Sequence, residues 1–177
     1  VWDKHLKNTI AQDLAQDQFS IFNPYGAFMV PPLANAVGIY HTNPKLFYIP
    51  HDYRLGQFAN KVGGQLALFE ERPDGDMHDA AHFGNSTEII STRDMLNEVT
   101  GDLDHRVDQQ MMLKNRLMDL FISDWDRHED QWRWASFEPY ELDSTLTGDA
   151  RTHGKIYRPI PRDRDTAFLV MNGVIPT

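Results

Sequence analysis

Two short segments rich in aromatic and β-branched residues, WRWASF from Trp132 and KIYRPI from Lys155, constrain this chain more than any other feature. Trp132 and Trp134 alternate with Arg133 as in a half-buried strand, and the polar stretch 138–154 between the segments reads as a turn or loop. The pair is expected to fold back as a hairpin. That topology sets Asp126, at the hairpin's entrance, beside Asp163, at its exit, although the two are 37 positions apart.

What precedes the hairpin is mixed. Leu6, Ile10, Ala11, Leu14 and Ile21 recur at helical spacing over residues 3–22, and Asn23-Pro24 closes that segment. A more apolar helix is expected within residues 25–40, with Pro31-Pro32 as a start or kink. KLFYIP from Lys45 and QLALFE from Gln65 are strand candidates that can pair antiparallel, and residues 72–86 lack any period and read as an exposed loop. Ser91-Thr92 with Asp94 opens a helix that Gly101 ends. The longest helix is expected over about 107–122. Its apolar set, from Val107 through Met111, Leu113, Leu117 and Met118 to Ile122, covers so much of the circumference that the helix is expected in the core.

Composition narrows the function classes. The 26 acidic residues outweigh 17 basic ones, for a formal charge of −9, which disfavours a nucleic-acid surface. The absence of cysteine removes disulfides, thiolate nucleophiles and cysteine zinc sites together. No apolar run approaches the roughly 20 residues that a spanning helix needs, so no membrane insertion is expected. A chain of 177 residues suits one domain, and the start at Val1 reads as a cut from a longer protein.

DWDRHEDQW follows the expected core helix directly. A carboxylate there suits accepting a proton from an attacking hydroxyl, and a nearby imidazole or guanidinium suits steadying phosphate charge. The alternative is a charged loop in which Arg127 pairs with Asp124 or Asp130. In RDRD, an extended backbone sets Asp163 and Asp165 on one side, an arrangement suited to Mg²⁺ or Mn²⁺, which favour oxygen ligands. Arg162 and Arg164 leave an ordinary ion-pair network as the alternative.

Helix, acidic loop, hairpin and acidic pair, in this order, resemble the catalytic half of atypical kinases: the secreted Fam20 family, the spore-coat CotH kinases and, more distantly, phosphoinositide and HipA-type kinases. The resemblance covers about residues 107–168. DRHEDQ puts Asp126 at the catalytic Asp, with Arg127 and His128 at the pair that follows it. Gln131 stands where many relatives place an Asn that binds metal. IPRDRDTAF resembles the IPWDLDxxF stretch of CotH-like proteins, which implies that Asp163 binds metal, with Asp165 as a second candidate. LALFEERP is similar to the strand and hinge joining two kinase lobes, which implies Glu70, Glu71 and Arg72 near the adenine.

The resemblance implies an α+β fold, namely a mostly helical kinase-like larger lobe with small antiparallel hairpins and part of the smaller lobe. It divides one domain fragment into a partial small lobe and hinge, 1–72, and a catalytic-lobe-like part, 73–177. It further implies Mg²⁺ or Mn²⁺ and ATP as cofactors, a nucleotide and a hydroxyl substrate as partners, and a glycine-rich phosphate loop upstream of Val1. IYHTNPKLFYIP and ISDWDRHEDQWRW also resemble a domain of bacterial envelope proteins that adjoins metallophosphoesterase and outer-membrane barrel segments, which implies an extracytoplasmic setting and flanking domains. Three functions stay open: metal-dependent phosphoryl transfer, a noncatalytic binding or scaffold domain on the same frame, and metal-dependent phosphoester hydrolysis.

Overall fold

A computed structural model of the chain describes Asn23 and residues 25–169. The helix read over 3–22 lies outside the described residues. The fold is α+β. Its centre is a four-stranded sheet in the order β3 (Ile89–Ser91), β5 (Trp132–Phe137), β6 (Ile156–Pro161), β4 (Arg106–Val107). The expected hairpin is its middle pair, antiparallel from Trp132 opposite Pro161 to Phe137 opposite Ile156.

The sheet is more than the small hairpins expected from the sequence. β3 adds antiparallel to β5, and β4 adds parallel to β6, both too short to register in the pattern of apolar residues. β5 is consequently a central strand, and all six of its residues are buried rather than every second one. Trp132 and Trp134 pack with Met95 and Tyr157 on one face, under α3 (Thr92–Gly101) and α4 (Gln109–Phe121). Ala135 and Phe137 pack with Phe83, Ile89 and Ile160 on the other. That second face is covered in part by the 72–86 loop, whose Phe83 is fully buried, so the segment is a lid on the core as well as an exposed loop. Pro159 and Pro161 fall beyond the end of β4, where β6 has one neighbour only and a missing N–H leaves no rung unmade.

Helix boundaries follow their caps. Ser91 Oγ accepts from the Asp94 amide at 3.2 Å to start α3, and Asp108 Oδ1 accepts from the Met111 amide at 2.9 Å to start α4. The expectation that α4 is wholly buried is corrected. Met111, Asn115, Met118 and Asp119 face the core, whereas Leu113 is 60% exposed and Phe121 73%. An apolar-rich sequence here covers a one-sided helix.

α1 (Gly26–Ala36) carries Pro31 and Pro32 inside it and buries Ala27, Val30 and Ala34 against Met118, Ile122 and Ala167. β1 (Lys45–Ile49) and β2 (Gln65–Phe69) form the second expected hairpin, antiparallel from Lys45 opposite Phe69. Short helical turns, including α2 (Ala59–Val62), join them, and α5 (Pro139–Leu142) interrupts the loop between β5 and β6. Among the described residues no helix is long and apolar enough to cross a membrane.

The seating of α1 on the segment after β6 is tight. A Cβ built on Gly26 would lie 2.4 Å from the Ala167 carbonyl oxygen, a backbone atom that cannot swing aside. Gly26→Ala is therefore expected to lower stability by about 1–3 kcal/mol, read as the shift of the urea midpoint at unchanged slope. An unshifted midpoint would contradict this packing.

Candidate functional site

α4 ends at Phe121, and Ser123, at φ +53°, turns the chain so that the Asp124 amide bonds back to the Asp119 carbonyl at 2.9 Å. The turn drives the Asp124 carboxylate inward, where its side chain is fully buried. There it accepts from Arg127, from Arg164 Nη1 at 3.3 Å and from Thr166 Oγ1 at 2.5 Å. Asp119, also buried, accepts from Arg164 Nη1 at 2.8 Å and from Arg116 Nη1 at 2.8 Å. Two buried carboxylates thus face two buried guanidiniums. Burial pushes the Asp119 carboxyl up and the Arg164 guanidinium down, against the attraction each exerts on the other.

This network ties the DWDRHEDQW loop to the RDRD segment. Arg127 Nη1 also donates to the Arg162 carbonyl at 2.6 Å, and the Arg162 amide donates to the Gln131 carbonyl at 2.8 Å, extending the hairpin past its last formal pair. The role expected of Arg127 from its position beside Asp126 changes accordingly. Its side chain is 2% exposed and committed to Asp124 and the Arg162 carbonyl, so it holds the loop and does not face a ligand.

Asp126 is exposed, and Gln131 Nε2 donates to its Oδ2 at 3.3 Å. Gln131 is itself buried, and its Oε1 has no hydrogen-bond partner. His128 stands exposed at the start of the turn Glu129–Gln131.

Asp163 and Asp165 line one cleft of about 240 Å³ together with Glu70, His41 and Thr42, over a floor that includes Ala27, Val30 and Leu68. They do so by a different route from the extended backbone expected: Asp163 is left-handed, at φ +55°, and the chain turns immediately after it. Glu70 Oε1 accepts from the Asp163 amide at 3.2 Å and from the Thr42 hydroxyl, so the residue after β2 touches the acidic pair directly. Glu71 does not line the cleft. Its Oε2 accepts from the Asn43 amide at 2.9 Å and lies 3.2 Å from His82 Nε2, bracing the 41–43 turn.

Burial is the first cause that pushes the Asp165 carboxyl up, followed by repulsion from Asp163, Asp124 and Asp126. His41, against the same cleft, is pushed down by burial, which outweighs the opposing hydrogen bond to the Thr42 carbonyl. No local signal in the sequence marks His41 and Thr42 as cleft residues, because their place there comes from packing against the distant acidic pair.

Among the described residues no group of three His, Asp or Glu side chains converges to cage a metal alone. The donors that line the cleft are instead the carboxylates of Asp163 and Asp165, with Glu70 already accepting from the Asp163 amide and the Thr42 hydroxyl. That set fits Mg²⁺ or Mn²⁺, hard ions that take one or two carboxylates and complete their shell with water and phosphate oxygens. No family model, no curated protein and no solved structure matches the chain.

Two outcomes follow. Asp124→Asn removes the anion shared by two buried guanidiniums and is expected to cost about 3–5 kcal/mol in urea unfolding; a loss below about 1 kcal/mol would contradict the network's role. Asp165→Asn is expected to raise the melting temperature of metal-free protein at pH 7. A carboxyl whose folded pKa is raised disfavours folding once ionised, so the gain should vanish as pH falls below the unfolded value near 3.8, where both forms are neutral. A gain that persists at pH 3 would refute this electrostatic origin.

Proposed function

We propose that the chain carries a metal-dependent phosphotransferase site of the atypical kinase-like kind. The observation that supports it most is the meeting of Glu70, Asp163 and Asp165 in one cleft, with the Asp126 loop tied to the segment before Asp163 through Arg127 and the Arg162 carbonyl. Phosphoryl transfer asks little covalent chemistry of a protein. It needs positioning and charge neutralisation, which a few carboxylates on a rigid frame can supply.

In this reading Asp163 and Asp165 would hold Mg²⁺ or Mn²⁺, which would supply the neutralisation of nucleotide phosphate charge. Glu70 fixes the left-handed turn at Asp163 by accepting its amide, so the metal-binding carboxylates stand on the same support as the residue expected near the adenine. Asp126 accepts the proton of the acceptor hydroxyl as that oxygen bonds to the γ-phosphorus of ATP and the bond from that phosphorus to the β–γ bridging oxygen breaks, releasing ADP. Gln131 holds the Asp126 carboxylate in place, and Arg127 fixes the loop that carries both. A cleft of about 240 Å³ suits the polyphosphate end of a nucleotide, the base lying outside it.

A noncatalytic binding domain is the second reading. It is favoured by the lack of a self-sufficient metal cage among the described residues. Hydrolysis is less well supported, since His128, the histidine of the acidic loop, is exposed and does not approach the cleft carboxylates as a ligand partner.

Thermal unfolding with Mn²⁺, with ATP and with both separates these readings. A stabilisation that requires both ligands and disappears in Asp163→Ala is the expected result. Asp126→Asn should keep the stabilisation yet lower any phosphoryl transfer by about 10²–10⁴-fold. No ligand-dependent shift in the wild type would refute the proposal, and binding without transfer would favour the second reading.

A further inference from the structure

α1 borders two cavities. Its Ala27, Val30 and Pro31 line the cleft, whereas its Leu33, Ala36 and Val37 line a separate groove together with Leu117, Met118 and Phe121 of α4. The groove has a volume of about 480 Å³, and among the described residues Lys114 is the one charged side chain that lines it. Leu117 is 56% exposed there, and Leu113 and Leu120, also exposed, continue the same side of α4 at helical spacing. α4 is therefore apolar on two sides, one against the core and one left to this groove. An apolar surface of that extent marks an interaction site.

The described chain ends beside the groove. The Phe168 amide donates to the carbonyl of Ile122, the residue after Phe121, at 2.5 Å. Phe168 and Leu33 both pack against the buried cluster that includes Ile39 and Met118, two residues of the groove lining. Residues 170–177, VMNGVIPT, lie outside the described residues and follow directly from this anchor. They carry Val170, Met171, Val174 and Ile175 and no charge. Eight residues reach about 26 Å when extended. The α4 side of the groove, from Lys114 to Phe121, needs only about 10 Å. Residues 1–22 fit less well: they join α1 ahead of Gly26, about 10 Å of helix short of Leu33, and carry Asp3, Lys4, Lys7, Asp13 and Asp17.

We propose that residues 170–177 dock in the α1–α4 groove as an apolar strap. Val170, Met171, Val174 and Ile175 supply the side chains that cover Leu117 and Phe121, and removal of that apolar surface from water drives the docking. The strap begins five residues after Asp165. It holds the far end of the segment that carries both cleft carboxylates, whose middle is held by Arg164.

The absence of cysteine makes the test direct. In the full chain, Leu117→Cys is combined in turn with Val170→Cys, Met171→Cys, Val174→Cys and Ile175→Cys, and disulfides formed under mild oxidation are mapped by mass spectrometry of peptides. At least one pair is expected to close within the chain, whereas Val174→Cys with Tyr48→Cys, an exposed position on β1, should stay reduced. Leu117→Asp, at an exposed position and so without cost to the core, is expected to speed thermolysin cleavage within residues 170–177 at least about tenfold. No closure above the Tyr48→Cys control at any of the four positions, or cleavage unchanged by Leu117→Asp, would overturn the strap. Disulfides from Leu117→Cys to a second molecule in place of the strap would assign the groove to another copy of the chain, and closure with Ile10→Cys instead would assign it to residues 1–22. Either result overturns the proposal as well.

Discussion

The buried carboxylate of Asp124 is the constraint on which the rest of the site depends. It receives Arg127 from the loop that carries Asp126, and Arg164 and Thr166 from the segment that carries Asp163 and Asp165. One side chain therefore sets the relative position of two motifs separated by a whole hairpin. Desolvating charges is costly, and a buried ion pair is weak evidence for stability in itself. Its value here is geometric: with Arg164 locked inward, Asp163 and Asp165 on either side of it line the cleft.

The outward group is arranged under tension. Asp163 adopts a left-handed backbone that an L-residue rarely takes, and burial together with repulsion from neighbouring carboxylates pushes the Asp165 carboxyl up. Glu70 adds a further negative charge at the same cleft, held by the Asp163 amide and Thr42. A fold has no structural need to gather these charges, and a cation would relieve the repulsion.

Much of the frame was legible in the sequence. Ser91 and Asp108 cap their helices as local side-chain chemistry requires, and WRWASF and KIYRPI pair as their alternation and composition imply. The juxtaposition of Asp126 with the Asp163 segment followed from that pairing alone. What was not legible depends on tertiary surroundings. Leu113, Leu117 and Phe121 look like core residues in the sequence yet stand exposed, because hydrophobicity does not say which side of a helix meets a neighbour. The full burial of β5 comes from β3, three residues long, and from the 72–86 loop, neither of which carries a strong pattern. Arg127 was read either as steadying phosphate charge beside Asp126 or as pairing with Asp124 or Asp130, and the inward turn at Ser123 selects the pairing with Asp124. The line-up of Asp163 and Asp165 was anticipated for the wrong reason, since a turn and not an extended strand brings them to the cleft.

The central claim is that these carboxylates form a cation site shared with nucleotide phosphates. The most direct measurement is an anomalous difference map from crystals grown with Mn²⁺ and a non-hydrolysable ATP analogue. The account predicts a manganese peak at about 2.0–2.3 Å from carboxylate oxygens of Asp163 and Asp165, with phosphate oxygens completing its shell. A fully occupied analogue with no manganese at these residues, or manganese bound only elsewhere on the acidic surface, would contradict it.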